Sequence, residues 1–370
     1  SEPVNLYLSS ALPGEWVDAI QGIPGITIMN DESSANLVFR PSLKPQEAST
    51  VFSANRVYAV AVPFFTVNDS ISFSFLNSLW EGSAGSDNYR KILVDEGSKA
   101  ILSEAMGKPG STVSVAQTDK LLNLAQQSAD AIVLLPFEKI NPHWKILKVD
   151  GVSPLDKPFN VEKYPLTIYF NVDAHLSDMS QAKKIRQQFS SIIPASNRDE
   201  SKMTVLIMSG TTAITRGLAY KITLNGTEYP VEKVKDWFLS ADIRHVSNEI
   251  PFVITCPTPD PYATSLVFCA SPNAIKTLEA IEVNVVELTG NHEKDYGPEN
   301  LIYTLQMYAD RGWSVYAAGV DAQTARQPAL LENNGNKIAF IGCNPMGPNS
   351  VWTRDGQAGV AECDFEYLKQ

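Results

Sequence analysis

Apolar and polar positions alternate along the first half of the chain in the manner of an α/β protein. Amphipathic stretches predict helices at Gly14–Ile20, Asn88–Met106 and Asp119–Ala129. Short apolar runs that are typical of strands lie before, between and after these helices, at Val4–Leu8, Gly25–Met29, Asn36–Phe39, Val57–Val62, Ala131–Leu135 and Leu166–Phe170. Strands that alternate with helices indicate a sheet with helices packed on its faces.

In the second half, an apolar run that leads into a polar loop occurs three times. The runs Thr204–Met208, Asp242–Val246 and Val283–Leu288 each predict a buried strand, and polar loops follow at Ser209–Thr212, Ser247–Glu249 and Thr289–Gly297. A helix is predicted at Pro298–Asp310, and the turn Asn334-Gly335 precedes a strand at Lys337–Ile341. Because α/β proteins place ligands at the carboxyl ends of strands, these loops are the candidate ligand-binding and catalytic segments.

A polar stretch between the halves lacks sustained periodicity and indicates a connection between two domains. The predicted organisation is a first domain at 1–190, a linker at 191–203 and a second domain at 204–370. A length of 370 residues agrees with two hydrophobic cores rather than one.

Composition narrows the class of partner. Hydrophobic residues make up 44% and charged residues 19% of the chain, which is typical of a globular protein. The formal net charge of −11 argues against nucleic acid, because binding to a phosphate backbone depends on clustered Lys and Arg.

The four cysteines fall into two local pairs, Cys256 with Cys269 and Cys343 with Cys363. Neither pair has the spacing of a zinc site. Two short-loop disulfides within these pairs are the prediction, and they would suit an oxidising compartment; the alternative is four buried free thiols in a cytosolic protein.

Several segments of the first half resemble the type II periplasmic binding protein family, in particular its phosphate-binding branch. The resemblance is carried by Asp130–Phe137, by the stretch Asp150-Gly151-Val152-Ser153-Pro154, and by Tyr164-Pro165-Leu166. It implies a two-lobed domain with an acidic or small anionic ligand between the lobes, near Ser9, Ser10 and Asp87. The alternative for the serine pair is that it caps the first helix.

The second half resembles the CapA family, which is linked to poly-γ-glutamate capsules. The residues that carry the resemblance are Tyr229–Phe252, Leu288–Gly297 ("LTGNHEKDYG") and Ala317–Gly342. The resemblance implies a metallophosphatase-like layered α/β domain that binds a divalent metal ion.

The matching positions give a candidate site. Glu249, Asn291 and His292 would be the metal ligands, since carboxylate, amide and imidazole groups together bind hard or borderline cations. His292 and Asp295 would be the catalytic residues. The alternatives are that Asn291 and His292 stabilise a turn, that Asp295 caps the next helix, and that the nearby His245 belongs to the core.

Two departures from the metallophosphatase pattern are visible. Gly210-Thr211 stands where that pattern has Gly-Asp, and no histidine follows His292. The second domain is therefore expected to be incomplete at its C-terminal end, with a second polypeptide or a C-terminal fragment completing the sheet beside Lys337–Ile341.

Together these observations predict an extracytoplasmic bacterial protein linked to poly-γ-glutamate or a similar polymer. It would act as a divalent-metal-dependent hydrolase or transferase. The alternative is a non-catalytic module that binds an anion or an acidic polymer.

Overall fold

The computed structural model describes residues 4–83, 88–174, 179–354 and 356–369. The chain divides into two compact units, Ser1–Glu200 and Ser201–Gln370. No helix within the described ranges has both the length and the apolar character needed to cross a bilayer.

The first unit contains ten strands and five α-helices in its described residues. The strands are β1 (Val4–Leu8), β2 (Ile26–Met29), β3 (Leu37–Ser42), β4 (Thr50–Pro63), β5 (Ser70–Ile71), β6 (Lys91–Val94), β7 (Val113–Val115), β8 (Ala131–Pro136), β9 (Trp144–Val149) and β10 (Thr167–Ala174). The helices are α1 (Gly14–Gln21), α2 (Phe73–Trp80), α3 (Glu96–Met106), α4 (Leu121–Gln127) and α5 (Met179–Ile192).

The long strand β4 joins two half-sheets. Its first part pairs with β10, and its second part, from Tyr58, pairs with β8 and β9. The path of the sheet is β2-β1-β3-β10-β4-β8-β6-β7, with β9 and β5 beside it. Val57–Val62 of β4 is almost completely buried, which explains why this run is apolar at every position and not at every second one. The predicted α/β class is confirmed.

One predicted helix, Asn88–Met106, is wrong at its beginning. Residues Lys91–Val94 form strand β6, which lies between β7 and β8, and only Glu96–Met106 is helical. Asp95 separates the two elements because its side chain accepts a hydrogen bond from the backbone N–H of Ser98 and so caps the helix. The short apolar run before Asp95 is compatible with either element, and pairing in the sheet decides it.

Much of the segment predicted as a linker packs within the first unit. The side chain of Asn197 accepts a hydrogen bond from the backbone N–H of Val57 at 2.7 Å and donates to the Val57 carbonyl at 3.1 Å. Arg198 is 9% exposed and donates to the Pro154 carbonyl at 2.8 Å. Polar residues here satisfy backbone groups of β4 and of the loop that contains Pro154, which is why the stretch looks like a linker in the sequence.

The second unit contains eight strands and six α-helices in its described residues. The strands are β11 (Leu206–Thr212), β12 (Ile243–Asn248), β13 (Val285–Glu287), β14 (Ser314–Tyr316), β15 (Ala318–Gly319), β16 (Ala329–Asn333), β17 (Asn336–Phe340) and β18 (Gly359–Val360). The helices are α6 (Arg216–Asn225), α7 (Lys235–Leu239), α8 (Ile275–Ala280), α9 (Pro298–Ala309), α10 (Ala322–Ala325) and α11 (Phe365–Lys369).

A parallel sheet in the order β11-β12-β13-β14 forms the centre of this unit. Val246 and Val286 pack with residues of α8 and α9 on one face, whereas Ile243 and Val285 pack with residues of the β16–β17 hairpin on the other. The strand β11 was predicted to be buried, but Leu206 and Met208 are 38% and 56% exposed. It lies at the edge of the sheet, where fewer neighbours cover its side chains.

The strand β17 pairs with β16 through the predicted turn Asn334-Gly335, in which both residues have positive φ. The two strands form a separate hairpin and not an extension of the parallel sheet. A second polypeptide beside β17 stays a prediction.

Both predicted disulfides are confirmed. Cys256 is bonded to Cys269 and Cys343 to Cys363, with Cα–Cα distances of 5.9 and 4.9 Å. These distances lie within the ordinary range for a disulfide.

Candidate functional site

The loops that follow β12 and β13 are in direct backbone contact. A Cβ built on Gly290 would lie 2.6 Å from both the Cα and the carbonyl oxygen of Glu249, so this approach requires glycine. Because β12 and β13 are parallel neighbours, their carboxyl ends lie side by side. Glu249 is thereby placed beside the loop that carries Asn291 and His292.

His292 and Asp295 form a hydrogen-bonded pair. The distance between Nδ1 of His292 and Oδ2 of Asp295 is 2.7 Å, and the two side chains are 19% and 17% exposed. The same Asp295 oxygen accepts a hydrogen bond from the backbone N–H of Phe268 at 2.7 Å. The Phe268 ring meets the imidazole edge to face, with 4.5 Å between ring centroids. These contacts orient the imidazole and leave Nε2 as the nitrogen that Asp295 does not engage.

Asp295 does not cap the helix that follows it. The N-cap of α9 is Gly297, which has no side-chain capping bond, and Pro298 occupies the first turn. Proline has no N–H to satisfy at this position, so the helix can begin without a capping side chain. The carboxylate of Asp295 instead forms hydrogen bonds with the His292 ring and with the backbone N–H of Phe268.

Sequence reasoning gave no role to Glu293, which is the most unusual group of the site. Its side chain is completely buried, and neither carboxylate oxygen has a hydrogen-bond partner. Burial, and then the negative charges of Glu249 and Asp295, raise the pKa of Glu293 well above its ordinary value. The buried Tyr308 hydroxyl also has no partner, and burial raises its pKa. An acidic residue within a polar motif looks solvated in the sequence, so this burial could not be predicted from it.

The raised pKa of Glu293 predicts that stability falls as the pH rises. The folded chain keeps a proton on Glu293 that the unfolded chain releases near the ordinary pKa of 4.5. The contribution of this carboxyl to the free energy of unfolding is therefore complete below pH 4.5, and it is lost as the pH rises to the pKa of the folded state. Glu293→Gln should remove this pH dependence. Glu293→Leu should raise the free energy of unfolding at pH 8 by about 1–3 kcal/mol, because it removes buried polar atoms without partners.

Urea unfolding of the wild type and both variants at pH 4.5 and pH 8 measures this effect. Glu332→Gln, at an exposed position on β16, is the matched control and should behave like the wild type. The same pH dependence in the wild type and in Glu293→Gln would mean that the carboxyl is not held protonated by the fold.

His245 is a core residue, as the alternative interpretation of the sequence held. It is 1% exposed, and its Nε2 lies 2.8 Å from the Tyr316 hydroxyl. Its ring stacks on Phe340 of the hairpin, with centroids 5.7 Å apart. Burial lowers the pKa of His245, which favours the neutral ring.

The three candidate ligand-binding residues of the first unit differ in their surroundings. Ser9 is 2% exposed, donates a hydrogen bond to Glu104 Oε2 at 2.7 Å, and accepts one from the backbone N–H of Ala11 at 3.1 Å. Ser10 is exposed, and Asp87 lies outside the described residues. An anion at the Ser9 hydroxyl would have to compete with the Glu104 carboxylate.

The donor set for a divalent cation is limited. Among the described residues, no three His, Cys, Asp or Glu side chains are arranged so that they could hold a metal ion together. Nε2 of His292 nevertheless fits the arrangement in which a carboxylate orients a ligating imidazole through its other nitrogen. Glu249 and Asn291, the predicted oxygen donors, belong to the two adjoining loops, whose backbones touch at Gly290 and Glu249.

Comparisons with solved structures gave low overall similarity. An ABC-type phosphate transport receptor from Vibrio cholerae is 12% identical, with a TM-score of 0.38, and the match covers 50% of this chain and 93% of that one. A possible phosphate binding protein from Planctomyces limnophilus is 11% identical, with a TM-score of 0.36 and coverages of 51% and 85%. PstS from Borrelia burgdorferi is 10% identical, with a TM-score of 0.36 and coverages of 51% and 91%.

No curated protein matches the chain. The family comparison does find a match, and it falls on the unit that contains the His292–Asp295 pair. Residues 205–364 match the family described as bacterial capsule synthesis protein PGA_cap, which confirms that the second unit resembles the CapA family.

Proposed function

We propose that this protein acts outside the cytoplasm of a bacterium on an acidic capsule-type polymer, with poly-γ-glutamate as the first candidate. The match of residues 205–364 to capsule synthesis proteins supports the link to a capsule. The two disulfides support an oxidising compartment, since such bonds are rare in the cytosol. We further propose that the second unit hydrolyses or transfers an amide bond of the polymer.

The hydrogen bond between His292 and Asp295 is the observation that carries the catalytic proposal. The Asp295 carboxylate accepts a hydrogen bond from the Nδ1–H of His292, which leaves Nε2 of the ring as a base. Nε2 takes a proton from water, or from an acceptor amine or hydroxyl, as that nucleophile attacks the carbonyl carbon. The C–N bond then breaks, and Nε2 returns the proton to the departing amine. Asp295 acts through His292 and is therefore a positioning residue.

A divalent cation is proposed as a cofactor, with Nε2 of His292, the Glu249 carboxylate and the Asn291 amide oxygen as its ligands. When bound, such a cation would polarise the carbonyl oxygen of the scissile amide as a Lewis acid. Nε2 cannot bind a cation and carry a proton at the same time, so the two roles of His292 exclude each other. The metal content of the protein decides which role applies.

The test is to incubate the full chain with poly-γ-glutamate and to follow both chain length and newly formed amino groups. Elemental analysis of the same preparation gives the metal content. We expect shortened polymer. If one equivalent of cation is bound, a chelator should abolish the reaction, and Glu249→Gln should lower the metal content. Unchanged polymer, with cation present in excess, would contradict the hydrolase proposal. Unchanged polymer in a second incubation with an added amine acceptor would contradict the transferase proposal.

A non-catalytic, polymer-binding role is the second candidate. The observation that favours it is that the described residues contain no group of three His, Cys, Asp or Glu side chains able to hold a metal ion. In this case the polymer binds to the full chain but neither its length nor its number of amino groups changes, with or without an acceptor.

A further inference from the structure

A cleft of about 700 Å³ opens beside the His292–Asp295 pair, entirely within the second unit. Its walls come from one side of α6 along its length, from the loop closed by the Cys256–Cys269 disulfide, and from the segment that contains Lys276. Phe268 lines the cleft and also contacts the His292 ring. The cleft therefore reaches the candidate catalytic group through one shared aromatic side chain.

Arg216 supplies a positive charge to the wall of this cleft. Its guanidinium lies over the Phe268 ring, 4.6 Å from the centroid, and one of its terminal nitrogens donates a hydrogen bond to the Ser265 carbonyl. Its Nε is shielded from solvent and has no partner. The residue has a φ of +48°, a conformation that non-glycine residues adopt only when their surroundings impose it.

The positive charges of the cleft are not neutralised by ion pairs. Within the part of the chain that the structure describes, neither Arg216 nor Lys276 forms a salt bridge. Asp260 is the one carboxylate among the described residues that line the cleft. The lining therefore carries two cationic groups against one anionic group, in a chain with a formal net charge of −11.

We infer that this cleft binds a short stretch of a carboxylate-bearing chain, with Arg216 and Lys276 each binding a carboxylate and Phe268 directing the chain toward His292. The identity of the polymer rests on the proposed function, whereas the cleft and its charges do not. Arginine binds carboxylates with paired hydrogen bonds, which gives both affinity and orientation. The volume lies in the range of sites that enclose ligands of several residues' size.

The overall charge of the protein makes this local pair of cations necessary for such a ligand. A chain with a formal charge of −11 repels a polyanion at long range, so unspecific electrostatic attraction cannot account for binding. Only a site where positive side chains are concentrated can offset that repulsion.

The test is to titrate the full chain with a fluorescently labelled, γ-linked hexaglutamate and to measure anisotropy. We expect Arg216→Ala to weaken binding by roughly tenfold or more, as for loss of a charge-assisted pair, and Lys276→Ala to weaken it less. Lys337→Ala, at an exposed position on the β16–β17 hairpin, makes the same change in net charge away from the cleft and should bind like the wild type. An oligomer whose free α-carboxylates have been converted to amides should not compete with the labelled one.

Because Arg216 packs on Phe268, Arg216→Gln is a second variant that keeps much of the side chain. Thermal unfolding, monitored by circular dichroism, verifies that each variant folds. Equal affinity of the wild type and a folded Arg216 variant, or no binding by the wild type, would overturn the inference. Binding that depends on Arg216 without any cleavage or transfer would contradict the proposed catalysis but not the cleft. Cleavage with an unchanged KM in Arg216→Gln would contradict the cleft but not the catalysis.

Discussion

His292→Ala should lower the rate of polymer cleavage by about 10²–10⁴-fold, which is the usual effect of removing a group that transfers a proton in the reaction. Asp295→Asn should cause a loss of similar order. An asparagine can donate to Nδ1 and so favour the tautomer in which Nε2 carries the proton and cannot act as a base. Initial rates of amino-group release, measured over a range of polymer concentrations, give kcat and KM for each variant.

The split between kcat and KM separates this role from a merely structural one. Asp295→Asn should act mainly on kcat, because the Asp295 carboxylate orients His292 and does not line the polymer cleft. His143→Ala, an exposed histidine in the first unit, is the matched control and should leave both constants unchanged. Full activity of Asp295→Asn would show that the 2.7 Å hydrogen bond to His292 has no part in the reaction.

Removing either disulfide should destabilise the second unit by about 3 kcal/mol, because each bond closes a short loop and so restricts the unfolded chain. The two double variants, Cys256→Ser with Cys269→Ser and Cys343→Ser with Cys363→Ser, can be compared by urea unfolding without reductant. The first should also lose affinity for the labelled oligomer, since Cys269 adjoins Phe268 in the wall of the cleft. The second should not.

Reductant supplies the control for the disulfide experiment. It should lower the free energy of unfolding of the wild type toward that of the double variants. Each double variant should respond to reductant only through its one remaining disulfide. Thiol labelling of all four cysteines in the unreduced wild type would contradict both bonds and would remove one support for an extracytoplasmic location.

Local sequence patterns were sufficient for most of the elements that position the site. The apolar run before the motif predicted strand β13, and Pro298 predicted where α9 begins. The Asn334-Gly335 turn predicted the β16–β17 hairpin because a tight turn depends on the two residues that form it. The segment Lys91–Val94 is compatible with a helix in the sequence because its three apolar residues cannot reveal the strands with which they pair.

The site itself combines predicted and unpredictable parts. The motif indicated His292, Asn291 and Asp295, but the contact of Asp295 with the Phe268 backbone joins segments that are distant in sequence. The same limit explains why Arg216 was missed, since only folding brings its guanidinium over Phe268. The surroundings of Ser9 could not be predicted for the same reason, because its hydroxyl donates a hydrogen bond to Glu104, on a helix far along the chain.

The proposed catalysis requires that Asp295 fixes the His292 ring so that Nε2 is free to act on the polymer. Imidazole ¹⁵N NMR spectra test this requirement most directly. The chain contains only 4 histidines, and comparison with the His292→Ala spectrum identifies the resonances of His292. With the ring neutral, we predict that Nδ1 carries the proton, that Asp295→Asn reverses this tautomer, and that the Nε2 resonance shifts when γ-linked hexaglutamate is added. A proton on Nε2 in the wild type, together with no response of His292 to the oligomer, would contradict the account.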